Sequence, residues 1–107
     1  MDIDILEFIK SCVRRGKVLW TYHVNMRLKD RSISREAVLC SVDTYEIIEE
    51  YLEERYLKSY LIYAKYQDEI IHIVVAVDEE NDNIRIITTY KPTLDKWHEN
   101  LKKRRDT

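Results

Sequence analysis

Three basic side chains recur at fixed spacing in Thr21-x-His23-x-x-x-Arg27-x-x-x-Arg31, with Ile33-Ser34 just beyond. On a helix, positions i, i+4 and i+8 overshoot each turn by about 40°, so the three form one slowly drifting stripe. With Thr21 as the N-cap, His23 falls in the first turn, where the helix dipole favours a neutral imidazole and attracts anions. Two guanidiniums on the same stripe offer planar, bidentate donors to a phosphate. A neutral histidine beside two arginines suits phosphodiester chemistry, as base and clamp. The residues also admit a plainer role, with His23 capping or packing and the arginines pairing with acidic side chains elsewhere.

A second candidate is His72, inside Ile70-Ile71-His72-Ile73-Val74-Val75-Ala76-Val77. In a strand, 71, 73, 75 and 77 make an unbroken apolar face, so His72 points to the other face with Ile70, Val74 and Ala76. An imidazole in such a strand needs a partner. If the following hairpin pairs 78 with 83, His72 lies opposite Thr89; a slip of one residue puts Tyr90 there instead. A satisfied, half-buried histidine accounts for the same pattern. The third candidate is Thr88-Thr89-Tyr90-Lys91-Pro92, followed by Trp97. A strand end bearing Tyr90 and Lys91 before a turn can rim a site, and it can equally be a plain strand terminus. His23, His72 and His98 are far apart in sequence, and no Cys or His pair has ligand spacing, so no metal or other cofactor is expected. The single glycine rules out a glycine-rich phosphate loop.

The elements that must position these residues divide near Asp43. Before it the apolar period is helical. Ile3, Leu6, Ile9 and Val13 predict a helix ending at Gly16, Thr21 caps a second over about 22–30, and Ser34 caps a third. After it the period is two, predicting strands over 45–51, 59–66, 70–78 and 83–91. The short polar loops 67–69 and 79–82 make the last three a meander. The segment 46–56 is also rich enough in Glu, Leu and Tyr to be helical. Thr93 is the cap of a last short helix containing Trp97 and Leu101, and the basic tail from Lys102 is expected to fray. The fold class expected is α+β: N-terminal helices packed on a sheet of 3–4 antiparallel strands.

With 107 residues the chain is expected to be one domain with one core. No apolar run reaches membrane-spanning length, and the acidic start Met1-Asp2-Ile3-Asp4 is unlike a signal peptide. Cys12 and Cys40 lie in apolar helical patterns and read as small core residues of a reducing, cytoplasmic compartment. Net charge is only −2, but it is segregated: +3 over 1–42, −9 over 43–82 and +4 over 83–107. That distribution permits one local basic face rather than an all-round nucleic-acid coat.

Thr21-x-His23, Arg27-x-x-x-Arg31, Ile33-Ser34, the acidic Glu46-Ile47-Ile48-Glu49, His72 and Ile86-Ile87-Thr88-Thr89-Tyr90-Lys91-Pro92 together resemble the domain of unknown function family 4258, over roughly 18–97. The resemblance implies a compact domain similar to RelE-like toxins, which cleave RNA without metal. It also implies a small antitoxin partner carrying a YgiT-type zinc finger. The expected function is therefore a metal-independent ribonuclease toxin acting on RNA, free or as ribosome-bound messenger, by attack of the 2′-OH on the adjacent phosphate. His23 or His72 would move protons, Arg27 and Arg31 would stabilise the phosphorane, and Tyr90 and Lys91 would orient the strand. The alternative is a non-catalytic interaction module on the same fold, binding a partner through the sheet edge or the acidic strand.

Overall fold

The computed structural model describes residues 4–51 and 57–104. Helix α1 spans Ile5–Arg14; Asp4 caps it by accepting from the Glu7 amide at 3.2 Å. It ends in a Schellman motif: Gly16, at φ +73°, donates to the Val13 carbonyl, and Lys17 donates to that of Cys12. Helix α2 spans Tyr22–Asp30 behind its Thr21 cap, and α3 spans Arg35–Cys40 behind its Ser34 cap. In each the cap hydroxyl accepts from the amide three residues on, as the sequence predicts.

Five strands follow the order β1-β5-β4-β3-β2, where β1 is Val18–Trp20, β2 Glu46–Tyr51, β3 Lys58–Tyr66, β4 Glu69–Asp78 and β5 Asn83–Tyr90. The segment 46–51 is thus a strand, and 52–56 lies outside the described residues. Strands β3 to β5 are the expected antiparallel meander, and β2 extends it by pairing antiparallel with β3. The expectation of 3–4 strands is corrected by β1, which inserts between the first two helices and pairs in parallel with β5, Val18 beside Ile84 and Trp20 beside Ile86. Three residues are too few to display a period, and their partner lies some sixty residues away in sequence.

One sheet face carries the core. Ile9, Cys12, Val24, Leu28 and Val38 from the helices meet Ile62, Ala64, Ile71, Ile73, Val75, Ile84 and Ile86, all buried. The unbroken apolar 71-73-75-77 face is therefore the helix side. Cys40 departs from expectation: it is exposed at the last turn of the six-residue α3, while Cys12 is buried.

The other sheet face is half covered by residues 92–104, here called the strap. The expected last helix does not form. Lys96 and Trp97 both donate to the Thr93 carbonyl, making a single turn, and the chain then doubles back so that Trp97 pairs with Arg104. Leu101 adopts a left-handed conformation at φ +59°, which a continuing helix forbids. Nor does the strap fray: Lys102 pairs with Glu46 at 2.8 Å and Arg104 with Glu49 at 2.8 Å.

Candidate functional site

Two β-bulges build the site. In the β4–β5 pairing Asp78 faces Asn83, as anticipated, but Ile87 is an extra residue: Val75 faces Ile86 and Val74 faces Thr88. Beyond the bulge every β5 side chain is inverted. Thr89 turns into the core face, while Tyr90 comes opposite His72 on the strap face. In the β2–β3 pairing Ile48 is the extra residue, so Glu46 faces Tyr63 and Glu49 faces Leu61. Strict alternation would put those two glutamates on opposite faces; the bulge puts both under the strap, where they hold Lys102 and Arg104.

His72 is wholly buried between the sheet and the strap. Its Nε2 lies 2.6 Å from the Leu101 carbonyl oxygen, which can only accept, so Nε2 carries the hydrogen. Nδ1 is then the acceptor, 3.3 Å from the Tyr90 hydroxyl. The Trp97 ring meets the imidazole edge-on at 4.4 Å between centroids. Burial pushes the imidazole below its ordinary pKa, and the Leu101 carbonyl only partly offsets this, so His72 is neutral near pH 7. Burial raises the Tyr90 phenol, against the opposing charge of Arg104.

Tyr90 opens on its other side into a cavity of about 550 Å³ lined by Arg31, Lys91, Lys96 and Arg104, with Pro92, Thr93 and Trp97. Four cations and no carboxylate line it. Arg31 reaches it around the β5 edge that β1 leaves unpaired, donating to the Thr89 carbonyl at 2.7 Å and the Thr88 hydroxyl at 3.3 Å. Glu49 fixes Arg104 through Nε at 2.8 Å and a second nitrogen at 3.2 Å, and accepts from the Tyr51 hydroxyl at 2.6 Å. Glu69 pairs with Lys91 at 3.1 Å. A cavity of this kind binds an anion and offers a hydroxyl whose proton has an acceptor behind it.

Of the residues singled out in the sequence, Arg31, Tyr90 and Lys91 line this cavity and His72 lies directly behind Tyr90. His23 and Arg27 do not line it and stand exposed on α2. The 40° drift explains the split: it carries the stripe from solvent at His23 to within about 20° of buried Val24 at Arg31. Sequence reasoning missed Glu49, Lys96, Leu101 and Arg104. The run Lys102 to Arg105 signalled charge, and the acidic strand signalled its complement, but nothing local linked the two. Among the described residues no cluster of three or more His, Cys, Asp or Glu could hold a metal ion.

A family model matches residues 20–91, a span that contains the α2 stripe, Glu49, His72 and Tyr90. The chain belongs to the family described as Domain of unknown function (DUF4258). The matched span ends at Lys91, so the strap that covers His72 lies beyond it. No curated protein and no solved structure matches the chain. No helix among the described residues is long and apolar enough to cross a membrane.

The uncovered half of the strap face forms a second hollow of about 890 Å³, with Tyr51, Leu57, Val74, Ala76 and Ile87 as its apolar lining and Asp78, Glu80, Asn81 and Arg85 among its polar lining. Leu19 and Ile87 are exposed on adjoining strands.

Proposed function

We propose that this protein is a metal-independent ribonuclease of RelE-like type, the toxin of a toxin–antitoxin pair acting in the cytoplasm. The observation that carries the reading is the Tyr90 hydroxyl, set among four cations and backed by a buried, neutral His72. As the ribose 2′-oxygen attacks the adjacent phosphorus, its proton passes to the Tyr90 oxygen while the Tyr90 proton passes to His72 Nδ1. Arg31, Lys91, Lys96 and Arg104 stabilise the charge growing on the phosphorane, work that a metal ion does in other nucleases. The bond to the 5′-oxygen breaks as that oxygen takes a proton from solvent, leaving a 2′,3′-cyclic phosphate and a 5′-hydroxyl end, and the proton held on His72 returns to solvent through Tyr90. The apo Tyr90–His72 distance is long, and such bonds tighten with substrate in place. The partner would be a small antitoxin with a YgiT-type zinc finger, and the substrate free RNA or ribosome-bound messenger.

The test is cleavage of single-stranded RNA in excess chelator, with end-group analysis and expression toxicity in a bacterium. Cyclic-phosphate ends, lost in Tyr90→Phe and His72→Gln together with toxicity, support the reading. Intact RNA in every assay, with and without ribosomes, overturns it. The open hollow, with Leu19 and Ile87 exposed on adjoining strands, favours a second reading, a non-catalytic module that binds a protein through the sheet face. On that reading no variant cleaves RNA, and partner binding survives His72→Gln but is abolished by Ile87→Asp.

A further inference from the structure

The two basic residues of the α2 stripe that stay outside the cavity have a use of their own. We infer that the His23–Arg27 edge of α2 binds the backbone of the single-stranded RNA whose scissile phosphate occupies the cavity. This rests on the cavity being an RNA site, and it makes the substrate an extended strand rather than a mononucleotide. His23, Arg27 and Arg31 span about 12 Å along the helix, a length only an oligonucleotide covers. The far end of that line is not free: Arg31 is anchored on Thr88 and Thr89 and lines the cavity. A strand leaving the cavity past Arg31 therefore meets Arg27 next and His23 beyond it.

Charge and exposure agree with this path. Asp30 is the only carboxylate on α2, against Arg27 and Lys29 within the helix and Arg31 at its cap. Neither His23 nor Arg27 has an ion-pair partner among the described residues. One turn apart beside them, Tyr22 and Met26 are 77% and 52% exposed, and the Tyr22 ring meets His23 edge-on at 6.3 Å. An exposed ring next to a cationic line is the arrangement that single-stranded nucleic acids use, bases on the ring and phosphates on the cations. On the opposite flank Arg35 is committed, donating to Asn25 at 2.6 Å and lying 4.8 Å from the Trp20 ring centroid, which leaves Lys29 as the cation of α2 on that side.

The experiment measures fluorescence anisotropy of labelled single-stranded RNAs of two, four and eight nucleotides. It uses a Tyr90→Phe background that keeps the RNA intact, with and without Arg27→Ala and His23→Ala. Affinity should rise by about tenfold or more from the dinucleotide to the octanucleotide, and Arg27→Ala should remove most of that rise while the dinucleotide affinity holds. Loss of affinity by the same factor at every length, or no loss, overturns the inference; so does an octanucleotide that binds no better than a dinucleotide. A length-dependent Arg27 effect without any cleavage by the unmodified protein leaves the track standing and removes the ribonuclease reading. Cleavage without that effect does the reverse. No RNA binding at any length removes both.

Discussion

A fully buried histidine is tolerated only where its ring nitrogens are both satisfied, and His72 meets that condition with one backbone carbonyl and one phenol. The carbonyl comes from Leu101, a bulky residue in the left-handed region at φ +59°, a conformation costing of order 1–3 kcal/mol that the strap's other contacts must offset. Protonating His72 would leave Nδ1 a donor facing a hydroxyl that must then reorient. Because burial lowers its pKa in the folded chain, the unfolded chain takes up the proton first as pH falls. Stability is thus complete above the unfolded value of about 6.5 and is lost as pH drops below it. The melting temperature should fall between pH 7.5 and 5, and His72→Gln should flatten that slope; an equal slope in the variant assigns the acid sensitivity elsewhere. Tyr90→Phe, removing one hydroxyl, should cost about 0.5–1.5 kcal/mol of stability by thermal unfolding. RNA cleavage should meanwhile fall by roughly a hundredfold, as when one transition-state contact is lost. The face on which His72 lies was legible in the alternation of 71, 73, 75 and 77. Its partner Leu101 was not, because a carbonyl 29 residues on is delivered by a conformation that no side-chain pattern announces.

Among the elements, the helix caps and strand periods were readable because they are local: Thr21, Ser34 and Gly16 each act within four residues of themselves. The bulges at Ile48 and Ile87 were not readable, and they decide which side chains reach the site. A regular β5 would carry Tyr90 into the core face and Thr89 out, so deleting Ile87 should abolish cleavage even in a chain that still folds. Far-ultraviolet circular dichroism retained, with the fluorescence of Trp97 shifted and RNA intact, is the expected result; undiminished cleavage would deny Tyr90 its role. The strap makes a separate prediction. Glu49 holds Arg104 by two nitrogens and Tyr51 by its hydroxyl, in a site where the Glu49 side chain is only 24% exposed. Glu49→Ala should cost about 1–3 kcal/mol. It should also raise amide hydrogen exchange across residues 97–104 more than in α1, with unchanged exchange there showing that the strap is held by its apolar contacts instead.

Over the whole molecule, the segregation of charge along the chain becomes a polarity in space. Part of the acidic middle is neutralised internally, Glu46 and Glu49 by the strap and Asp82 by Arg15 at 2.6 Å. Asp78, Glu79 and Glu80 sit at the turn that joins β4 to β5, while the cations of the cavity lie at the other end of that hairpin, where the nearby Glu69 is paired with Lys91. Some seven residues of extended chain separate the two ends, about 23 Å at the usual strand rise and more than two Debye lengths at physiological salt. A modestly negative protein can therefore present a local anion site, since the far carboxylates are screened from it. Only the near cations should set the salt dependence of RNA binding. Three to four phosphate contacts at about 0.7 each give a slope of roughly −2 to −3 in log affinity against log salt. Raising salt from 50 to 200 mM should then weaken binding by roughly 20- to 60-fold. Lys96→Gln should reduce the slope by about 0.7, whereas Glu79→Gln with Glu80→Gln should leave it unchanged. A slope that responds to the turn glutamates and ignores Lys96 would place the RNA elsewhere on the molecule, and the cavity would lose its claim to the phosphate.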